Sequence, residues 1–271
     1  MRPVSHTAQW TAAARALESE RTDALFQDPH ARPLAGRHGF DLLEQHPAGG
    51  LVDFVAIRTH YLDRAIEAAC RDGEVRQVAL VACGLDTRAF RLPWPRDAVV
   101  YELDHGDLLD AKQERLDELS AEPAVRRVPV AVDLAQDWEP ALLDAGFDPR
   151  APVLWVPEAL LFFLERPEVE RLLRRFRAVS APGSVLAVDI LGEWALRNPA
   201  AQGFFREMRE SGTAWRFGTD DPEGLLEDSG WKPVEVLQPG EPGAGEQRWP
   251  YQVQPRAKPY VPRNFLVTAS C

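Results

Sequence analysis

The segment of residues 77–104 constrains the fold more than any other, because two apolar runs in it flank a tight turn. The first run ends at Ala82, the turn is centred on Gly84, and the second run is followed directly by Asp104. Short apolar runs rich in valine are typical of strands buried on both faces of a parallel sheet. Ligands bind such sheets beyond the carboxyl ends of the strands, where an acid can hold a ribose hydroxyl. The segment therefore predicts an α/β fold that binds a nucleotide-type cofactor.

The composition of the turn indicates which cofactor this is. Dinucleotide-binding proteins usually hold a pyrophosphate with three glycines spaced G-x-G-x-x-G, whereas this turn has Gly84 and a carboxylate, Asp86. Two like charges about 4 Å apart at an effective dielectric near 20 repel by roughly 4 kcal/mol, so Asp86 disfavours a pyrophosphate. It suits S-adenosyl-L-methionine, which carries an ammonium, a sulfonium and a ribose but no phosphate. Alternatively, Asp86 only caps the helix that follows.

The overall composition is that of an ordinary soluble enzyme. The 271 residues, 45% of them hydrophobic, can bury a core as one large domain. The net charge of -11 disfavours nucleic acid as a partner, since phosphate binding needs clustered lysine and arginine. The chain has no membrane-length apolar run and no apolar signal core, so we expect a cytoplasmic protein. We expect it to be a monomer or a homodimer. The three cysteines and six histidines show no spacing typical of a metal site.

Helix and strand patterns divide the chain into four parts. Residues 7–73 have helical patterns, the clearest from Asp53 to Ala69 with Gly73 ending it. Buried strands alternating with helices are predicted near residues 77–82, 98–103, 127–132, 152–156 and 184–190, and later strands at 233–237 and 264–269. We therefore predict one domain made of a helical cap (1–75), a cofactor-binding core (76–190), a lid insertion (191–224), and a last helix and strand pair (225–271).

Short motifs in chain order are more specific than these patterns. They are Arg15–Ser19, Phe26–Ala31, Ile57–Thr59, Gly84–Arg88, Glu102–Asp104, Asp133–Leu134 and Trp155–Leu161. Each motif is weak alone, but in this order and at these spacings they make the chain resemble the leucine carboxyl methyltransferase family, including its bacterial branch of polyketide O-methyltransferases. The resemblance extends from Thr7 to about Ala269.

The resemblance implies a Rossmann-like class I methyltransferase fold, with a mostly parallel seven-stranded sheet, helices on both faces, a helical N-terminal cap and a lid insertion after the fifth strand. It also implies S-adenosyl-L-methionine as the methyl donor. The positions it places around the cofactor are Arg58, Gly84, Asp104, Asp133, Leu134 and Glu158. The chain departs from the family at Ala82 and Ala159, where the family usually or often has glycine.

The chemistry of Arg58 and Glu158 suits the amino-acid part of that cofactor. Arg58 lies on an apolar helical stripe, where a guanidinium is costly unless it is paired, and its fork fits a carboxylate. Alternatively, its stem lies on the core and its head reaches water. Glu158 follows the strand at 152–156 and can hold the ammonium, completing a clamp with Arg58. Arg21 is a candidate for a second contact to the cofactor carboxylate, although exposed arginines in helical caps are usually only solvated.

The acids after the second and third strands suit the nucleoside part. Asp104 is the predicted ribose ligand, but Glu102 points to the same face and the two roles are exchangeable. The carboxylate of Asp133 can accept the adenine amino group while the Leu134 backbone orients the ring. Alternatively, Asp133 is a helix N-cap.

The acceptor side is less defined by the sequence. A phenol acceptor would benefit from a general base, for which His60 and Tyr61 are candidates, whereas a carboxylate needs none. His60 can instead be a solvated histidine on a helix flank. The predicted acceptor pocket lies between the cap and the lid, and its candidate residues are Trp10, Trp194, Phe204, Phe205 and Trp215. The aromatic residues of the lid can equally form the lid's own core or a dimer face.

These observations leave several functions open. The first is an O-methyltransferase acting on a small-molecule hydroxyl or carboxylate, such as an aromatic or polyketide-type secondary metabolite. The second is a carboxyl methyltransferase acting on the C-terminus of a peptide or protein. The third is a cofactor-binding protein without turnover. A nicotinamide dehydrogenase is disfavoured by the missing glycines and by Asp86.

Overall fold

The structure, a computed structural model, describes residues 3–45, 50–71 and 74–271, with side chains from Thr7 onward. His46 and Gly73, which entered the sequence-based predictions, lie outside the described residues, as does the side chain of His6. The cap contains three helices, α1 (Pro3–Ser19), α2 (Ala31–Gln45) and α3 (Leu51–Arg71). Gly36 interrupts α2 with a φ of 58°, in the left-handed region that favours glycine.

A single seven-stranded sheet follows the cap. Its strands are β1 (Gln77–Val81), β2 (Val99–Asp104), β3 (Arg126–Ala131), β4 (Val153–Val156), β5 (Val185–Leu191), β6 (Lys232–Leu237) and β7 (Asn264–Ser270). Their order is β3-β2-β1-β4-β5-β7-β6, and β7 runs antiparallel to both of its neighbours. The sheet order reverses beside β1, so the carboxyl ends of β1 and β4 flank a crevice that is the usual ligand site of such sheets. This arrangement confirms the predicted Rossmann-like fold.

Helices cover both faces of the sheet. They are α4 (Arg88–Arg91), α5 (Gly106–Glu118), α6 (Glu139–Asp144), α7 (Arg166–Ala178), α8 (Glu193–Arg197), α9 (Gln202–Glu210) and α10 (Pro222–Asp228). Successive residues of a strand face opposite sides, so Val78 and Leu80 pack with α3 while Ala79 and Val81 belong to the core on the other face. The two cores fix the sheet between α3 on one side and α7 on the other.

Two irregular segments extend over the carboxyl ends of the strands. The lid (residues 191–224) carries α8 and α9, and Thr219 N–H donates to Leu191 O at 2.8 Å, which closes the base of the lid. The strap (residues 238–262) connects β6 to β7. Gly245 of the strap has a φ of 72° and lies so close to α3 that a Cβ there would be 2.5 Å from Ile57 Cγ1. The cap, the lid and the strap therefore surround the crevice from three sides.

No helix among the described residues has the length and apolar character needed to cross a membrane.

Candidate active site

The cap, the lid, the strap and the carboxyl ends of the strands enclose a cavity of about 1240 Å³. This is somewhat larger than the roughly 300–1,000 Å³ usual for a ligand pocket. Most of the sequence-predicted cofactor residues line it, namely Arg58, Ala82, Gly84, Asp86, Asp104, Asp133, Leu134 and Glu158. The predicted acceptor residues Trp10, Phe204, Phe205 and Trp215 line it as well. The fold therefore brings residues from distant parts of the sequence to one cavity with room for two ligands.

The turn after β1 is a tight backbone loop. Ala82 and Gly84 have φ values of 52° and 51°, in the region that favours glycine. A Cβ on Gly84 would lie 3.2 Å from the Cβ of Ala8, because α1 of the cap packs directly over the turn. Arg15 ties the two together, since its Nη2 donates to Leu85 O at 2.6 Å and its Nε to Asp28 at 2.9 Å. The sequence analysis did not identify this role of Arg15.

Asp104 is oriented by backbone donors at the end of β2. Its Oδ2 accepts from Gly84 N–H at 2.7 Å and its Oδ1 from His105 N–H at 2.7 Å. Burial raises the pKa of Asp104, although these backbone donors oppose the rise. The carboxylate is 8% exposed and faces the cavity, so its remaining lone pairs are available to a ligand hydroxyl.

Glu102 does not share this position. It is fully buried, and its Oε2 pairs with Lys112 Nζ at 2.8 Å and with Arg127 Nη2 at 2.8 Å. It does not line the cavity. The proposed exchange of roles between Glu102 and Asp104 is therefore wrong, because the acid at 102 is used to neutralise two buried cations.

Asp86 makes the local contact of its alternative interpretation, whereas Asp133 is not the N-cap of a helix, because α6 begins only at Glu139, after Trp138. Asp86 Oδ1 accepts from the Arg88 N–H at 2.7 Å, at the start of α4, and its Oδ2 pairs closely with the Arg88 guanidinium. Its charge is therefore compensated, and it repels phosphate less than the sequence argument assumed. Asp133 is exposed, and its Oδ1 accepts from Ala135 N–H at 3.0 Å while the residue lies on the cavity wall.

Arg58 and Glu158 contact each other instead of standing apart. Arg58 Nε donates to Glu158 Oε1 at 2.9 Å, and its Nη1 donates to Asp189 Oδ2 at 3.3 Å. Burial opposes ionisation of Glu158, but Arg88 and Arg58 outweigh it and lower its pKa to about 2. Arg58 is 3% exposed, so the alternative of a head in water is wrong. Among the described residues, Arg58 Nη2 takes part in no hydrogen bond, which leaves it able to donate to a ligand carboxylate.

A buried ionic network lies behind this pair. Arg88 is 2% exposed and bonds Asp63 at 2.7 Å and Glu158 at 2.6 Å as well as Asp86. Arg91 bonds both oxygens of Asp63, at 2.7 and 2.8 Å. The network joins α3 to α4 and to the end of β4, so it fixes the cap against the core. The sequence signal for this network was that its charged residues stand singly within apolar patterns, where a charge is costly unless it is paired.

Four predicted residues lie away from the cavity. Arg21 is about half-exposed and bonds Asp23 at 2.9 Å, so it lies away from the position predicted for a second cofactor contact. His60 is half-buried and Tyr61 is buried in the core under α3, and neither lines the cavity. Trp194 packs on Tyr260 of the strap, with ring centroids 4.6 Å apart, and is not among the lining residues.

The helical period explains the positions of His60 and Tyr61. Leu51, Phe54, Val55 and Arg58 line the cavity, and residues three or four apart share one face of a helix. His60 and Tyr61 project from other faces of α3. Burial lowers the pKa of His60 and raises that of Tyr61, because it favours the uncharged form of each side chain. The structure therefore does not place them beside the predicted acceptor pocket, and their role as a general base stays a prediction.

Five rings at the other end of the cavity form an aromatic cluster, defined here as Phe162, Phe163, Phe204, Phe205 and Trp215. Trp215 is its centre, with ring centroids 4.1 Å from Phe162, 5.4 Å from Phe204, 5.6 Å from Phe205 and 6.4 Å from Phe163. All five line the cavity. The three rings that belong to the lid, Phe204, Phe205 and Trp215, therefore pack against each other and also form a wall of the cavity.

The strap supplies a wall that the sequence analysis did not predict. Trp249, Tyr251 and Gln254 line the cavity from this side. Arg248 anchors the strap to the cap, since its Nη2 lies 2.7 Å from Glu18 Oε1. Arg263 organises its far end by donating to Pro255 O at 2.6 Å and Lys258 O at 2.8 Å. The signal for this segment was its unusual length rather than any motif.

No group of three or more metal-ligating side chains was found within residues 3–45, 50–71 and 74–271. The donor set of the cavity instead fits a nucleoside with an amino-acid group. Acids able to bind hydroxyls and an amine lie at the strand ends, and next to them lies Arg58, whose Nη2 has no hydrogen-bond partner in the part of the chain that the structure describes.

Comparison with known proteins agrees with this geometry. A family description, leucine carboxyl methyltransferase, matches residues 8–177. A Mycobacterium ulcerans protein named as an S-adenosyl-L-methionine-dependent methyltransferase is 39% identical over 233 residues, which cover 79% of this chain and 71% of that protein. A Mycolicibacterium smegmatis protein of the same name is 37% identical over 263 residues, covering 86% of each chain.

Solved structures show the same fold at lower identity. A DUF574 family protein from Streptomyces avermitilis is 18% identical with a TM-score of 0.65, and the match covers 96% of both chains. A protein from Thermobifida fusca is 20% identical with a TM-score of 0.59, covering 96% of this chain and 93% of that one. The family match and the relatives above show that the chain is an S-adenosyl-L-methionine-dependent methyltransferase and belongs to the leucine carboxyl methyltransferase family.

Proposed function

We propose that the enzyme methylates an oxygen of a small molecule with an aromatic or polyketide-type ring system. The observation that carries this proposal is the aromatic cluster, which lines the same cavity as the predicted cofactor residues. Flat apolar rings bind flat apolar ligands well, and offset or edge-on ring contacts add to the burial of area. The cap, the lid and the strap surround this cavity, which favours a ligand of limited size.

We assign the two parts of the cofactor to two groups of residues. Arg58 and Glu158 hold the carboxylate and the ammonium of the methionyl part, and the backbone of the Ala82–Gly84 turn approaches it. Asp104 binds the ribose hydroxyls, and Asp133 and Leu134 bind the adenine. The cofactor supplies a methyl group already activated on a positively charged sulfur. The chain's own contribution is to hold the acceptor oxygen in line with it and to exclude water, which supplies roughly 7–11 kcal/mol in favourable cases.

The nature of the acceptor oxygen decides whether the protein must move a proton. A carboxylate is ionised at neutral pH, whereas a phenol with a pKa near 10 profits from a base. The residues predicted as a base, His60 and Tyr61, do not line the cavity. The assigned site thus favours acceptors that reach it already ionised.

The family description supports a second candidate, carboxyl methylation of a peptide or protein C-terminus. Such a substrate would enter the cavity only by its last residues and would leave the rest of its chain outside. The aromatic cluster accommodates an apolar terminal side chain as well as a ring system, so the chemistry of the product must separate the two candidates.

The test is methyl transfer from labelled S-adenosyl-L-methionine to a panel of phenols, aromatic acids and peptides with free C-termini. Label that survives mild alkali indicates an ether, and label released by it indicates an ester. We expect transfer to ring-containing small molecules. Transfer to the peptides alone would contradict the proposal and would support the second candidate.

A further inference from the structure

Asp189 is a buried acid that neither the motifs nor the proposed contacts explain. It lies in β5, is 2% exposed, and does not line the cavity. A carboxylate in an apolar strand is costly unless its oxygens find partners. The two oxygens of Asp189 have different partners: Oδ2 accepts from Arg58 Nη1 at 3.3 Å, and Oδ1 accepts from Ala159 N–H at 2.7 Å.

The second partner lies in an unfavourable backbone conformation. Ala159 has a φ of 55°, in the left-handed region where a Cβ is disfavoured. It directly follows Glu158 and lines the cavity with it. The hydrogen bond from its N–H to Asp189 therefore ties the strained turn that follows Glu158 to the sheet.

Through these two contacts, Asp189 is linked to both residues of the proposed clamp: directly to Arg58, and to Glu158 through the backbone of the next residue, Ala159. Arg58 donates from Nε to Glu158 at 2.9 Å and from Nη1 to Asp189, which leaves Nη2 for a ligand. The planar guanidinium has one orientation when two of its nitrogens are fixed. A single carboxylate below the cavity thus fixes an arginine from α3 and a turn after β4.

We propose that Asp189 is a positioning residue that holds Arg58 and the Glu158–Ala159 turn in the geometry needed to bind the amino-acid part of the cofactor. The inference rests on the proposed roles of Arg58 and Glu158. Asp189 acts only through these two residues and touches no ligand itself. Its effect should therefore depend on whether a ligand carries the amino-acid group.

Two nucleosides separate this role from a general contribution to folding. S-adenosylhomocysteine has the amino-acid group, whereas methylthioadenosine has the adenine, the ribose and the sulfur without it. We expect Asp189→Ala to weaken calorimetric binding of S-adenosylhomocysteine at least tenfold and that of methylthioadenosine less than about twofold. Asp189→Asn retains an acceptor for Ala159 N–H and loses the charge facing Arg58, so its loss should be smaller, about threefold.

A matched control and a rescue variant complete the experiment. Glu102→Gln removes another buried, paired carboxylate that is not part of the clamp, so it should leave the ratio of the two affinities unchanged. Ala159→Gly relieves the left-handed turn, and added to Asp189→Ala it should restore S-adenosylhomocysteine binding about threefold. Absence of that recovery would overturn the part of the proposal that concerns the turn.

The outcomes distinguish this inference from the proposed function. Equal losses for both nucleosides, or no loss for either, would overturn the role of Asp189. If Arg58→Ala reduces S-adenosylhomocysteine binding while Asp189→Ala does not, the clamp stands and only the inference fails. If Arg58→Ala also leaves that binding unchanged, the proposed assignment of the clamp is wrong.

Discussion

The two ends of the cavity are built on different physical principles. At the cofactor end, short turns at the strand ends carry charged side chains whose partners are fixed in a buried ionic network. At the acceptor end, rings from the lid and from the segment after β4 pack against each other. Buried ion pairs are directional and tolerate little change, whereas apolar ring contacts adapt to the ligand. The comparison indicates a rigid cofactor end joined to an acceptor end that can adapt to its ligand.

The variant with the largest expected effect is Arg58→Ala. It removes the clamp and leaves the carboxylates of Glu158 and Asp189 with one partner fewer in a buried position. Breaking a buried pair in this way costs roughly 3–5 kcal/mol of unfolding free energy. We also expect cofactor affinity to fall at least tenfold, about 1.4 kcal/mol. Urea unfolding and calorimetry measure the two effects.

Arg21→Ala is the matched control for that variant. Arg21 is also an arginine of the cap, but its side chain is about half-exposed and lies off the cavity. Both quantities should stay close to the wild-type values, because substitutions at exposed positions rarely change stability. An effect of Arg21→Ala as large as that of Arg58→Ala would contradict the structural distinction between them.

The acid dependence of stability tests whether the cofactor end is held by paired charges. The pKa of Glu158 falls from 4.5 to about 2 on folding, so it contributes stability above its unfolded pKa that is lost as the pH falls toward 2. At neutral pH this contribution is about 3 kcal/mol. The unfolding free energies of the wild type and Glu158→Gln should therefore differ most above pH 5 and converge below it. A gap that stays constant down to pH 3 would contradict the pairing.

Asp104→Ala tests whether the cofactor end has separate contacts for the nucleoside and for the amino-acid part. It removes the ribose contact, so binding of S-adenosylhomocysteine and of methylthioadenosine should both fall about tenfold, or 1.4 kcal/mol. Asp133→Ala serves as the comparison, because that carboxylate is exposed and already accepts from Ala135 N–H, so its assigned contact to the adenine should contribute less. We expect it to cost less than Asp104→Ala in calorimetry. A loss confined to S-adenosylhomocysteine would show that Asp104 contacts the amino-acid part instead.

At the acceptor end, Trp215→Ala should weaken binding of the acceptor and leave binding of the cofactor unchanged. Trp215 contacts the four phenylalanines of the aromatic cluster, so its removal opens that wall of the cavity. We expect the KM for a ring-containing acceptor to rise about fivefold to tenfold, which corresponds to about 1 kcal/mol. The cofactor Kd should stay within about twofold.

The control at this end is Trp194→Ala. Trp194 is another tryptophan of the lid but packs on Tyr260 outside the cavity. Its removal should leave the KM for the acceptor unchanged. If both tryptophan variants raise the KM equally, the lid acts as a whole and the aromatic cluster is not a specific binding surface.

The difference between the two ends also explains what the sequence could predict. Asp104, Glu158 and the Gly84 turn follow buried strands, and the carboxyl ends of parallel strands meet at one edge of a sheet, so their convergence was predictable. Asp189 was visible as an acid in an apolar strand, but its partners lie 30 and 131 residues away in sequence. The strap has no periodic pattern, and only its anchors, Arg248 and Arg263, show how it folds back.

The smallest expected effect is that of His60→Ala, which tests the sequence argument against the structure. The sequence places His60 two residues after Arg58, but on a helix that spacing points to a different face. The side chain is half-buried away from the cavity, and burial lowers its pKa. We therefore expect the rate of methyl transfer to a phenol to match the wild type at every pH from 6 to 9. A selective loss at low pH would mean that a neutral histidine takes the phenol proton, and the assignment of the acceptor to the cavity lined by the aromatic cluster would then be wrong.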